Sequence, residues 1–184
     1  MYYYLLSSLP YLLENADNLP SLEDFSAICR DQLTPNDYAV LVNAVYGDYE
    51  TFAGIHPFLA RFSETEKSLR NEIAKERSRK TGLSCEGYDS GGASWHRDKV
   101  IQAVGAESPL TGENILLGLR MELISELEAG RFFEFENVLA YYLKLQLLHR
   151  KKRMNRERGL QSFETAYQTI SAPLNEESGL SFGV

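Results

Sequence analysis

Apolar side chains recur every three to four positions along most of this chain, and that period predicts helices. Ser21-Leu-Glu-Asp24 has the form of a helix start, a hydroxyl N-cap with a carboxylate three positions on, and Leu22, Phe25, Ile28 and Cys29 follow at helical spacing. Thr34-Pro35-Asn36-Asp37 opens a second helix in the same way, with Pro at its first position. Tyr38, Leu41, Val42 and Val45 form its expected inner face, and Gly47 its end. From Pro57 to about Arg79 the pattern predicts a longer helix, with Phe58, Leu59, Phe62, Leu69 and Ile73 inside. Glu64, Glu66, Lys67, Arg70, Glu72 and Lys75 fall on its expected solvated side, where each i,i+4 pair is worth only ~0.3 kcal/mol.

The period lapses from Thr81 to Ser94, where four of fourteen residues are Gly. That stretch reads as a loop or linker between a helical half at 1–80 and another at 95–172, with Trp95-His96 anchoring the return to the core. Gly87 to Gly92 is not a phosphate cradle, because a P-loop needs Gly-Lys-Ser/Thr opening a helix after a strand. Ile115, Leu116, Leu119, Leu123, Ile124 and Leu127 then form one stripe, stopped by Gly130. After a short turn, Phe132, Phe133, Phe135, Val138, Leu139, Tyr142, Leu143, Leu145 and Leu148 continue the period. Two such helices joined by a few residues predict a long antiparallel hairpin over 111–158, with Leu119 and Leu123 facing Val138 and Tyr142. Its second helix, about Phe133 to Arg158, would be roughly 39 Å long. A short helix over Phe163 to Ile170 and a frayed tail over 173–184 complete the pattern.

The opening MYYYLLSSLPYLLE carries no charge before Glu14. Pro10 interrupts its apolar run, it lacks the basic start of a secretory leader, and it has about half of the ~20 apolar residues a bilayer span needs. It reads as an N-terminal helix lodged among others, with the Tyr hydroxyls reaching polar partners at the rim. No other segment has the two-residue period of a strand. The expected fold is all-α, an irregular helical bundle.

Composition changes little in this picture: 43% hydrophobic and 24% charged residues in a chain of 184 suit an ordinary folded protein. Two cysteines, Cys29 and Cys85, are too few for a disulfide framework, and His56, His96 and His149 lack metal-ligand spacing. No cofactor or metal is expected.

Charge changes more. The net charge is −7, yet residues 144–158 carry +6, from Lys144, Arg150, Lys151, Lys152, Arg153, Arg156 and Arg158 against Glu157. A run of this kind is a solvated helix face or an electrostatic contact with an acidic protein, an anionic lipid or RNA. No aromatic residue lies between Leu148 and Leu160, which weakens single-stranded nucleic-acid binding. The overall acidity opposes it as well.

Two stretches carry a family resemblance. The opening YYYLLSSLPYL, followed by SLEDF, resembles an uncharacterised bacterial family encoded beside V-type (A/V-type) ATP synthase subunits. FENVLAYYLKLQLLHR, Phe135 to Arg150, is similar to a helix of the C subunit of those rotary ATPases, called d in eukaryotic vacuolar enzymes. The matching positions are Glu136, Val138, Leu139, Ala140, Tyr141 and Leu143, then the basic end near Arg150. That longer, all-helical subunit caps the membrane rotor ring and receives the central stalk. The resemblance implies a non-catalytic helical adaptor or accessory subunit, cytoplasmic and held at the inner face of the membrane through its complex. Its partners would be V-type ATPase subunits, bound through Arg150, Lys151, Lys152, Arg153 and Arg156. The alternative is a nucleic-acid-binding protein acting through 144–158. An enzyme reading finds only Glu134, Glu136 and His149, and 13 positions of helix between Glu136 and His149 prevent their convergence.

Overall fold

The computed structural model describes residues 1–13, 19–82, 96–154, 163, 165 and 166. Eight helices occur among them: α1 (Tyr3–Ser8), α2 (Leu22–Gln32), α3 (Pro35–Asn43), α4 (Tyr49–Ile55), α5 (Pro57–Thr81), α6 (Arg97–Gly105), α7 (Pro109–Glu128) and α8 (Phe135–Arg153). No strand is present among the described residues, and the fold is all-α.

Side chains set where the helices begin. Ser21 Oγ accepts from Asp24 N at 2.9 Å, Thr34 Oγ1 from Asp37 N at 3.2 Å and Ser108 Oγ from Thr111 N at 3.1 Å. Each satisfies a backbone donor that the first turn leaves without a helical partner. α5 starts on a ring instead, with His56 Nδ1 accepting from Phe58 N at 3.2 Å. It stops at Gly82, whose φ of 70° is the left-handed conformation that ends helices at little cost in Gly. At 25 residues, about 37 Å, α5 is the longest helix described.

α8 is shorter than its hydrophobic period suggests: 19 residues, about 28 Å, ending at Arg153 with Met154 as the C-cap. Its start is moved from Phe133 to Phe135 by the preceding turn. Gly130 has φ 79° and Phe133 has φ 59°, a conformation that strains a bulky side chain and breaks the helix. Glu134 then caps α8 in a reciprocal arrangement with Asn137. α4 and α6, at 7 and 9 residues, are too short to display a period, although α4 buries Phe52 completely.

Two hydrophobic clusters hold the helices together. The larger joins Leu5, Phe25, Cys29, Leu41, Phe52, Leu59 and Phe62 to Leu117, Ile124, Val138, Leu139, Leu143 and Leu147. The smaller joins Leu69 and Ile73 of α5, Val100 and Ala103 of α6, and Leu116, Leu119 and Leu123 of α7. Residues before Thr81 and after Ser94 therefore share both clusters. α7 is apolar on two faces, Leu117 and Ile124 in the larger cluster and Leu116, Leu119 and Leu123 in the smaller. This corrects the expected pairing: Leu119 and Leu123 pack with α5 and α6, while Val138 and Tyr142 belong to the other cluster. At Gly112 a Cβ would lie 2.6 Å from the Ala103 carbonyl oxygen, so the approach of α7 to α6 requires glycine.

Other positions turn out differently from the pattern. Ile28, Val42 and Val45 are exposed, and α3 ends at Asn43, before Gly47. Glu66 and Glu72, expected in solvent, are buried. Of the opening tyrosines, Tyr2 donates its hydroxyl hydrogen bond to Asp37, and its ring meets Phe135 edge-on. Tyr3 and Tyr4 are exposed, with Tyr3 tilted against Phe133 at 4.7 Å. Only Leu5 of α1 is fully buried, because six residues give room for one inward position. Cys85, Trp95, most of the 81–94 stretch, the helix expected over 163–170 and the tail over 173–184 lie outside the described residues, wholly or nearly so.

Candidate functional site

The basic end of α8 follows from two rules acting on one helix. Its body is buried along Leu139, Leu143 and Leu147, which fixes the helix in place. Arg150, Lys151, Lys152 and Arg153 occupy its last turn, where cations are favoured by the negative end of the helix dipole, typically by ~0.3–1 kcal/mol. Lys152 and Arg153 are exposed, and Lys151 and Met154 are half-buried. Arg156 lies outside the described residues.

Neighbouring helices already engage part of this charge. Arg150 Nη2 donates to Glu113 Oε1 of α7 at 3.3 Å. Lys144 pairs with Glu128 near the other end of α7. His149 Nε2 lies 2.8 Å from the Pro20 carbonyl oxygen; a carbonyl only accepts, so this nitrogen carries the proton. His149 therefore ties α8 to the segment before α2. At the opposite end of α8, Glu134 caps the helix and Glu136 lies 3.9 Å from Arg131. These two carboxylates and His149 do not form one site.

A second polar cluster lies between α5 and α7, away from the basic end of α8. Glu66 of α5, 1% exposed, receives Arg120 of α7 through three hydrogen bonds of 3.0 to 3.2 Å. Arg70 Nε adds a fourth at 3.3 Å, and its guanidinium lies 4.4 Å from the centre of the Tyr49 ring. Burial alone would lower the Arg120 pKa, but the hydrogen bonds it donates to Glu66 and the Glu66 charge outweigh this and hold it above the usual value. Burial, followed by the Glu66 charge, pushes the neighbouring Tyr46 hydroxyl up. A signal was available. Glu66 sits between Phe62 and Leu69, and Arg120 between Leu116 and Leu123, so opposite charges occupy apolar register positions on two helices.

Open depressions occur among the described residues as well. One lies along α7 over Gly118, Met121, Glu122, Ser125, Glu126 and Ala129. Another lies where α5 ends and α7 begins, among Arg77, Lys80, Val104, Ser108, Gly112 and Glu113. Among the described residues no group of three or more His, Cys, Asp or Glu side chains is placed to hold a metal ion. No described helix is long and apolar enough to cross a membrane. No protein-family model, curated protein or solved structure matches the chain.

Proposed function

We propose that this chain is a non-catalytic helical adaptor or accessory subunit of a V-type ATPase or ATP synthase, meeting the rotor ring or central stalk through Arg150, Lys151, Lys152, Arg153 and Arg156. The observation that carries the reading is four consecutive basic residues ending a helix whose body is anchored in the core of an acidic chain. A charge cluster on a fixed helix loses little freedom on binding, so it presents one geometry to an acidic surface. The likeness of the 135–150 helix to the C subunit supplies the identity of the partner. Contacts of this type steer association and weaken with salt, as the Debye length falls from ~10 Å at 0.1 M to ~3 Å at 1 M.

Affinity capture from native membranes tests the reading. Wild-type protein should retain V-type ATPase subunits at low salt and release them at high salt. The triple variant Lys151→Glu, Lys152→Glu, Arg153→Glu should keep its circular dichroism spectrum and lose most of the capture. Wild type that captures no ATPase subunit ends the adaptor reading. A triple variant that captures as well as wild type ends the role of the basic turn. Salt-sensitive retention of RNA or DNA on a filter, without ATPase capture, would favour nucleic-acid binding.

A further inference from the structure

The basic turn of α8 does not stand alone. Glu113 accepts from Arg150 at 3.3 Å, and the same Glu113 lines the cleft with Arg77 and Lys80 at the end of α5. Glu113 thus links the basic C-terminus of α8 to a cleft that the basic C-terminus of α5 lines. Residues 75–80, KERSRK, carry +3, and 144–158 carry +6. The cleft measures about 470 Å³, with Ala103, Val104 and Leu116 as apolar floor. Arg77 and Lys80 are exposed, and Lys80 Nζ donates to the Val104 carbonyl oxygen at 3.0 Å.

We infer that this cleft, lined by Arg77 and Lys80 and bordered by the Glu113–Arg150 pair, is the docking site for an acidic peptide segment of a partner protein, and that Glu113 holds the place of the partner's carboxylate until it binds. Charge complementarity sets the class of occupant: Arg77 and Lys80 line the cleft and Arg150 pairs with its one acid, Glu113, which leaves an excess of positive charge beside an apolar floor. The anion already accommodated there is a carboxylate, which favours Asp- and Glu-bearing peptide over nucleic acid. No aromatic ring is among the residues that line the cleft, so it offers no platform for stacking bases. Glu113 is exchangeable because its pair with Arg150 is half in solvent, with side-chain exposures of 28% and 47%. Such pairs contribute little, so a peptide bearing several carboxylates displaces one. The inference rests on the adaptor reading for the identity of its partner, but its chemistry is tested without that partner.

The test uses the full chain and a fluorescein-labelled deca-glutamate peptide in polarisation titrations at low salt, with oligouridylate of equal length in parallel. The variant Arg77→Gln, Lys80→Gln should bind the peptide at least about fivefold more weakly. Glu113→Gln should bind it about two- to fivefold more tightly, the range expected for freeing one exposed pair. A charge-neutral change elsewhere, Lys67→Gln, controls for loss of net charge and should have less effect than Arg77→Gln alone. The inference is overturned if the double variant binds as wild type does, if Glu113→Gln weakens binding, or if oligouridylate binds more tightly than the peptide with the same dependence. ATPase capture by the Arg77→Gln, Lys80→Gln variant at wild-type level would sink the cleft and spare the adaptor reading. Peptide binding as described, with no ATPase captured, would do the reverse.

Discussion

Glu66–Arg120 and Glu113–Arg150 are both carboxylate–guanidinium pairs between helices, and both involve α7. Their surroundings separate them. The first is buried, with three hydrogen bonds between its own partners and a fourth to Glu66 from Arg70, so its charges are closed to groups from outside the fold. The second is a single 3.3 Å contact with both side chains partly in solvent. Burial turns the first pair into a device that fixes how α5 lies on α7. Exposure leaves the second free to exchange with outside groups.

The largest effect should come from breaking the buried pair. Arg120→Met leaves Glu66 buried with Arg70 alone, and should cost ~3–5 kcal/mol in chemical denaturation. Glu66→Met added to it should recover most of that loss, because two apolar side chains carry no desolvation penalty. A double variant as unstable as the single one would show that the pair acts through packing rather than charge.

Next in size is the apolar contact between the same helices. Leu123→Ala should cost ~2–5 kcal/mol, whereas Val45→Ala, at a position 50% exposed, should stay within ~0.5 kcal/mol. Equal losses at the two sites would contradict the assignment of Leu123 to the smaller cluster.

His96 gives a pH-dependent term. Its pKa is lowered, chiefly by burial; Glu122 opposes the shift and Lys99 adds to it. The folded value lies below the unfolded ~6.5, so the unfolded chain takes up the proton first as pH falls. The stability from the neutral ring is present above ~6.5 and is lost as pH falls toward the folded value. Denaturation midpoints of wild type should drop over that window more than those of His96→Asn. Parallel curves would remove His96 from the account.

The smallest effects on stability belong to the exposed pair. Glu113→Gln and Lys152→Glu should each change it by less than ~1 kcal/mol in thermal unfolding, although both alter binding under the proposals above. A larger loss at Glu113 would mean that its pair with Arg150 supports the fold.

The sequence by itself determined the all-α class and where several helices start. Ser21, Thr34 and Ser108-Pro109 act within one turn, and Gly82 and Gly130 end helices through their own backbone, so these signals survive without knowledge of neighbours. Ser108-Pro109 is overshadowed in the sequence by the stronger stripe that follows, and His56 gives little signal because an imidazole seldom caps a helix. The cluster at Arg150 to Arg153 was equally legible, as a count of charge. The inner face of α5 was legible too, since Phe58, Leu59, Phe62, Leu69 and Ile73 are all buried, but which neighbour an apolar face meets was settled only by tertiary structure. α7 has apolar residues on two sides, so its stripe could not say whether Leu119 and Leu123 meet α8 or α5 and α6. A period also marks Ile28, Val42 and Val45 as inward until the packing of α2 and α3 leaves them in water. Glu66 reads as a solvated charge until Arg120, 54 positions away, is brought against it. The cleft at Arg77, Lys80 and Glu113 arises in the same way, from three helix ends that only packing brings together. Capping and periodicity are interactions over a few residues, whereas burial and ion pairing depend on distances that the chain closes only when it folds.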